Sequence, residues 1–503
     1  MQDPITQLRT RLIEINDVQA ASAVLMWDQN TQMPPGGAAA RGRQLSTLRR
    51  MAHEKATDED LGALIEQLAS DLSARPNDDD DAALVRLAQR QFERATRIPP
   101  TLVAEMAANG AASYNAWKQA RAANDFATMQ PYLERTLELS RRVADCFPGY
   151  EHPADPLIDG ADYGMRASTV KALFAELRAA LVPIAQAITS QPTADASCLH
   201  QFYPEADQRA FGERVAAAFG YDFNRGRQDK THHPFAIRFA HGDVRITTRF
   251  DEHNLASGLF STLHESGHAM YEQGVNAAYD GTPLARGTSA GVHESQSRLW
   301  ENLVGRSRPF WQHYYPQLQA QFPSQLGAVP LDQFYRAINK VERSLIRTDA
   351  DEVTYNLHVM IRFDLELAML EGTLAVRDLP AAWAERYQAD LGLAPPDHCD
   401  GVLQDVHWFY STIGGSFQGY TIGNILSAQF MAAARAAIPD LDAQIGQGQF
   451  AALHEWLRSQ IYQHGSKYTT AELVERVTGG PITIEPYIAY LRAKYGELYH
   501  FGF

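Results

Sequence analysis

Residues 264–268 read His-Glu-Ser-Gly-His, an H-E-x-x-H, and this pentapeptide constrains the fold more than any other stretch of the chain. Two imidazoles can share one metal ion only if the backbone brings them to the same side, and a spacing of four does so in an α-helix. That helix must turn its other side to a core. Leu255, Leu259, Leu263 and Met270 lie opposite the two histidines, and Gly274 stands where the helix would stop. The histidine face then looks away from the core. Glu265, one residue round from His264, reaches water at the metal's open position.

A catalytic zinc takes three protein ligands and keeps a fourth position for water. Twenty-five residues separate His268 from Glu294, which sits in a second cluster, His293-Glu294-Ser295. On a helix through this cluster Val292, Leu299 and Leu303 lie opposite Glu294, leaving Glu294 and Glu301 on a polar face. Of the two, Glu294 is the better third ligand. The plainer alternatives are hydrogen-bonded core or surface histidines and a solvated helix carboxylate. A structural zinc would close all four positions, and no fourth ligand is evident.

Composition narrows the classes. With 503 residues, 45% of them hydrophobic, the chain can bury a large core, and length alone allows two or three domains. A net charge of −15 and the lack of a dense Lys/Arg run disfavour nucleic acid or an anionic membrane as partner, and leave a cationic substrate open. Cys146, Cys198 and Cys399 form no C-x-x-C, so neither a disulfide framework nor a thiolate zinc site is indicated, and a reducing cytoplasm fits. Met1 to Ile15 lacks a signal-peptide core and no stretch is expected to reach transmembrane length, so a soluble, unexported protein is expected.

Residues 5–26, 38–70, 82–97, 101–146 and 168–189 carry apolar residues at three-to-four spacing, and the first 200 residues read as almost wholly helical. The acidic run Asp78 to Asp81 favours the positive start of the next helix, and Pro99-Pro100 opens another. One β signal precedes the metal motif: Phe235, Ile237 and Phe239 alternate, His241-Gly242-Asp243 turns the chain, and Val244, Ile246, Thr248 and Phe250 alternate again. An edge strand of such a hairpin can pair with an extended peptide. From residue 255 onward the pattern returns to helices, with loop signals at Gly414-Gly415, Gly419 and Gly479 to Pro481. Without repeats or a long linker, residues 1–503 are expected to form a single domain, with residues 1–200 as a helical N-terminal region and 201–503 carrying the metal site.

Beyond the two clusters, further segments carry a resemblance. His233-Pro-Phe235, Asp243 to Thr247 (D-V-R-I-T), Ile346 to Asp351 (I-R-T-D-A-D), Gly401 to Trp408 (G-V-L-Q-D-V-H-W) and Trp27 to Gly37, together with H-E-S-G-H and the run from His293 to Asn302, resemble in order the motifs of the carboxypeptidase Taq family. The resemblance spans nearly the whole chain. Ala236 departs from it, standing where a small hydroxyl residue is expected. The resemblance implies a mainly α, gluzincin-type fold with two lobes around a deep groove and a small sheet beside the metal helix. It implies a zinc or sometimes cobalt ion, a cytoplasmic homodimer, and release of single residues from peptide C-termini with broad side-chain tolerance. Carried over by residue, it implies His264, His268 and Glu294 as metal ligands and Glu265 as general base and acid. Arg347 would bind the substrate's terminal carboxylate, Asp243 and Arg245 are further substrate-binding candidates, and His407 and Tyr420 would face the tetrahedral intermediate.

These roles are chemically coherent. Amide hydrolysis needs an activated water, a stabilised oxyanion and a proton for the leaving amine. An exopeptidase must also recognise a free carboxylate, which a guanidinium does with two parallel charged hydrogen bonds. Arg347 lies four residues before Asp351, so a helical ion pair is its plain alternative, and Tyr410 competes with Tyr420 as hydroxyl donor. An internally cutting oligopeptidase and a non-catalytic, zinc-containing peptide binder are the rival readings.

Overall fold

In the computed structural model, which describes residues 3–500, the periodic segments are helices, broken where short polar side chains can cap. The expected run 38–70 is two helices, Ala38–Ala56 and Glu59–Asp71, because the Asp58 carboxylate accepts the Leu61 N–H and starts a new helix. The run 101–146 likewise divides into Pro100–Ala123 and Phe126–Asp145 at Asn124, whose φ of 55° ends one helix before Asp125 caps the next. Within the acidic run, Asp79 caps the helix Asp80–Arg97 through the N–H groups of Asp81 and Ala82. Asp80 bonds the Tyr279 hydroxyl at 2.7 Å.

One sheet interrupts the helices. Strands β1 (Gln228–Lys230), β2 (Phe235–Ala240) and β3 (Asp243–Thr248) lie in the order β1-β3-β2. The expected hairpin is β2 and β3, antiparallel from Phe235 opposite Thr247 to Ala240 opposite Asp243, with an irregularity between Arg238 and Ala240. The parallel strand β1, pairing Gln228 with Ile246, was not expected. Val244 and Ile246 are fully buried, and β3 packs against the helix that carries the metal motif.

Two apolar clusters organise the chain. The larger runs from Leu102 to Tyr499 and takes in helices from both before and after the sheet. The smaller joins Leu8, Leu12, Leu61, Ile65 and Leu84 of the first helices to Val275, Tyr279, Leu284 and Ala285. It therefore wraps the segment that connects the two metal motifs. Against expectation, one helix, Ala167–Thr189, is long and apolar enough by composition to cross a membrane. Its Val170, Phe174, Leu177 and Leu181 lie in the larger cluster, and its Arg178 pairs with Asp364 and Asp390, so it is placed here as a core helix.

Candidate metal centre

The motif helix, Leu255–Gly274, begins where the Asn254 side chain accepts the Ser257 N–H. As the periodicity required, Leu255, Leu259, Leu263 and Met270 are buried. The helix does end at Gly274, for a different reason from the expected one. Gly274 is not left-handed, and a Cβ there would stand 2.6 Å from the Tyr462 ring, so the glycine admits a packed tyrosine.

Glu294 lies on a second helix, Ala290–Arg298, which continues into a π-helical turn over Leu299–Val304. It crosses the motif helix at Gly267, where a Cβ would come within 2.6 Å of the Gln296 carbonyl oxygen and 2.7 Å of Ser297 Cα. On its far side lies the helix Gln418–Ala437, where a Cβ on Gly423 would sit 2.5 Å from Glu294 Cβ. Two glycines thus let three helices close on one glutamate.

The three expected ligands meet. Glu294 Oε2 lies 3.7 Å from His264 Nε2 and 3.5 Å from His268 Nε2, and the three ligand atoms fall within 4.8 Å of one another. Tetrahedral zinc with bonds of about 2.0–2.1 Å separates its ligand atoms by about 3.3–3.4 Å. Glu265 is 6% exposed, and its Oε2 has no hydrogen-bond partner among the described residues, an arrangement a metal with its water would complete.

Supporting contacts orient every ligand. Glu301, carried on the π turn, sets its Oε2 2.9 Å from His264 Nδ1. His268 Nδ1 lies 2.6 Å from His293 Nδ1, and His293 Nε2 lies 2.8 Å from Glu272 Oε1. With carboxylates as acceptors, the consistent assignment puts a proton on Nδ1 of each ligand histidine and leaves both Nε2 lone pairs for metal. Arg298 donates from Nε to Glu294 Oε1 at 2.8 Å and from Nη1 to Glu301 Oε2 at 3.2 Å.

Electrostatics follows from this packing. Burial pushes the Glu265 carboxyl up to about 7, the range in which a general base works best at neutral pH. Burial opposes ionisation of Glu294 and Glu301 too, but Arg298 and the histidines outweigh it, holding Glu294 well below the ordinary range and Glu301 at about 2. Burial lowers His268 to about 4, keeping it neutral as a ligand must be.

A second group of side chains forms around Asp405. Arg347, 8% exposed, begins a short 3-10 turn and donates from Nε to Asp405 Oδ2 at 2.7 Å and from Nη1 to the Tyr355 hydroxyl at 2.9 Å. It makes no pair with Asp351, which instead accepts the Val353 and Thr354 N–H groups of the turn leading into the helix Tyr355–Glu371. Among the described residues one Nη1 hydrogen and both Nη2 hydrogens of Arg347 have no hydrogen-bond partner, enough for an end-on, two-bond grip on a carboxylate. Its guanidinium centre lies 5.5 Å from the Tyr420 ring. His407 bonds Asp405 through Nδ1, and its ring lies 5.1 Å from Phe417, which in turn is 5.7 Å from Tyr420. Arg298, clamped on Glu294, lies over the Tyr355 ring at 5.0 Å and so joins the two groups. Tyr410 lies beside His407 but is 49% exposed. Among the described residues Asp243 and Arg245 make no side-chain hydrogen bond or ion pair with the metal or Asp405 groups. They pair with each other at 2.7 Å, and Arg245 lies over the Trp27 ring at 4.4 Å.

Comparison with known proteins decides the family. The model of the carboxypeptidase Taq (M32) metallopeptidases matches residues 7–495. The chain belongs to that family. It is 43% identical over 487 residues to thermostable carboxypeptidase 1 of Thermus thermophilus and 35% identical over 492 residues to carboxypeptidase 1 of Bacillus subtilis, covering 95% and 97% of each. The M32 carboxypeptidase of Deinococcus radiodurans superposes with a TM-score of 0.96 at 53% identity, over 99% of this chain and 100% of that one. This M32 chain is therefore a metallocarboxypeptidase, which decides against the oligopeptidase and the non-catalytic binder. The mainly α fold with a small sheet beside the motif helix is that of its structural neighbours.

Several functional side chains were not read from the sequence. Arg298 is four residues after Glu294 and three before Glu301, a spacing that does announce a shared pairing. Glu272 lies one helical turn beyond His268. Asp405 and Tyr355 had no such signal toward Arg347, since their contacts depend on how distant segments meet.

Proposed function

We propose that the chain releases single residues from the C-termini of short peptides, using a divalent metal, zinc in the first instance and cobalt as a substitute, held by His264, His268 and Glu294. The observation that carries this reading is the approach of Glu294 Oε2 to both histidine Nε2 atoms, at 3.7 and 3.5 Å with all three ligand atoms within 4.8 Å, in a site where Glu265 has a buried oxygen unpartnered among the described residues. When bound, the metal would polarise the scissile carbonyl and lower the pKa of water. Glu265 takes a proton from the attacking water and passes it to the leaving amine. Arg347 grips the terminal carboxylate with its free Nη hydrogens and so fixes which peptide bond is reached. His407 and Tyr420 face the developing oxyanion. Asp405 is an acceptor, so His407 Nδ1 carries a hydrogen. A neutral ring therefore offers Nε2 as an acceptor, and donation from Nε2 requires the imidazolium. Asp243 and Arg245 bear on the substrate indirectly, by tying the sheet to the first helix through Trp27.

Cys146, Cys198 and Cys399 are all free thiols, which supports a reducing cytoplasm, and the family resemblance supports a homodimer, testable by light scattering. The decisive experiment is mass analysis of products from an unblocked peptide and its C-terminally amidated twin, with and without a chelator. Single-residue release from the unblocked peptide, lost on chelation and much reduced by amidation, is expected. Internal fragments as first products, or equal rates on both peptides, would refute carboxylate capture.

A further inference from the structure

Arg347 and His407 come from separate segments, yet both are held by one carboxylate. Asp405 Oδ2 takes Arg347 Nε at 2.7 Å, while Oδ1 takes His407 Nδ1 and, at 3.2 Å, the His407 backbone N–H. Behind it stands Arg362, 2% exposed, its Nη1 3.4 Å from Asp405 Oδ2 and its guanidinium 4.0 Å from the Trp408 ring and 4.1 Å from the Phe417 ring. Phe417 also flanks Arg347 and His407. The two oxygens thus serve two different functional side chains, and a buried cation holds the carboxylate in place.

We propose that Asp405 is a positioning residue that couples capture of the substrate's terminal carboxylate at Arg347 to presentation of His407 Nε2 at the reacting carbonyl, with Arg362 as its buried counter-charge. This rests on the roles given above to Arg347 and His407. An ionised carboxylate is an acceptor only, so it can satisfy the guanidinium and the imidazole at once. An asparagine offers one acceptor oxygen and one NH2 donor. Placed at 405 with its oxygen on Arg347 Nε, it turns its NH2 toward His407 Nδ1, which either clashes with the Nδ1–H or forces the ring into the other tautomer, and it removes the negative charge that balances Arg347, Arg362 and any imidazolium at His407. One substitution should therefore damage recognition and the oxyanion partner together. Tyr355 differs, because it touches Arg347 Nη1 and makes no contact with His407.

The test compares wild type, Asp405→Asn, Tyr355→Phe, Arg347→Ala, His407→Ala and the double variant of Asp405 and His407 on a free peptide and its amidated twin, with melting curves for each. Tyr355→Phe should raise KM for the free peptide several-fold without a matching fall in kcat. Asp405→Asn should raise KM for the free peptide and also lower kcat on both peptides by about 10²-fold, the scale of a lost oxyanion partner. Adding His407→Ala to it should cost little more, since the ring is already misplaced. Multiplicative losses in the double variant, or a purely KM effect of Asp405→Asn, would overturn the proposal. Should Asp405→Asn fail to fold, 15N NMR of the wild-type imidazoles decides: a hydrogen on His407 Nδ1 supports the coupling, and a neutral ring protonated only on Nε2 overturns it. The underlying reading fails separately, and takes the proposal with it, if Arg347→Ala loses equally on both peptides and His407→Ala keeps its kcat.

Discussion

Replacing Gly267 by alanine should weaken metal binding without touching a candidate ligand. The added Cβ would lie 2.6 Å from the Gln296 carbonyl oxygen and 2.7 Å from Ser297 Cα, both backbone atoms. Ordinary contact begins at 3.4 Å, so the two helices must part by about 0.8 Å. The glutamate helix has little room to retreat, because on its far side Glu294 already lies against Gly423, where a Cβ would be 2.5 Å away. Metal–ligand distances tolerate only about ±0.2 Å, so a displacement several times larger should cost at least as much affinity as a lost supporting hydrogen bond, about 10–100-fold. Overpacking itself should cost about 1–3 kcal/mol of stability. The assay is chelator competition for zinc, checked by the visible spectrum of the cobalt form and by thermal melting. Gly242→Ala is the control, since nothing lies within 4 Å of a Cβ there. A folded Gly267→Ala protein with wild-type metal affinity would refute the argument that this crossing sets the ligand geometry.

Alanine at His264, His268 or Glu294 should remove most of the bound metal, whereas Glu265→Gln should keep it and lose activity; metal analysis beside a peptidase assay separates the two outcomes. Glu366, buried and accepting from Trp408 Nε1 at 2.6 Å, is pushed by burial from 4.5 up to about 7. Between those values the folded chain holds a proton that the unfolded chain has lost, so stability should fall as pH rises through this window. Glu366→Gln keeps an oxygen for Trp408 and should flatten that slope in denaturation curves, with a gain on the order of 3 kcal/mol above pH 7; an unchanged slope would show that Glu366 ionises freely.

What could be read from the sequence was what repeats locally. The motif helix, its apolar face and the Glu294–Glu301 stripe follow from 3.6-residue periodicity, so the cluster of His264, His268 and Glu294 was visible as a pattern. The breaks at Asp58 and Asn124 were missed because a single capping residue interrupts an otherwise continuous apolar stripe. Strand β1 has three residues, too few to show alternation, and a parallel partner gives no turn signal. Arg347 shows the limit most clearly: a helical pair with Asp351 was its plain alternative, while the carboxylate it meets is that of Asp405, brought near only by tertiary packing, and Asp351 is taken up by the Val353 and Thr354 N–H groups.

The small apolar cluster of the first helices closes over Val275, Tyr279, Leu284 and Ala285, the strip of chain joining one histidine-bearing helix to the glutamate-bearing one. Gly287, at the end of that strip, donates its N–H to Glu272, which steadies His293 and through it His268. The outer layer is thus a clasp on the hinge between ligands. Loosening it by local opening would take the backing from Glu272 and His293, so Leu8→Ala and Leu61→Ala are expected to shorten the residence of a bound metal, read as faster release to a chelator.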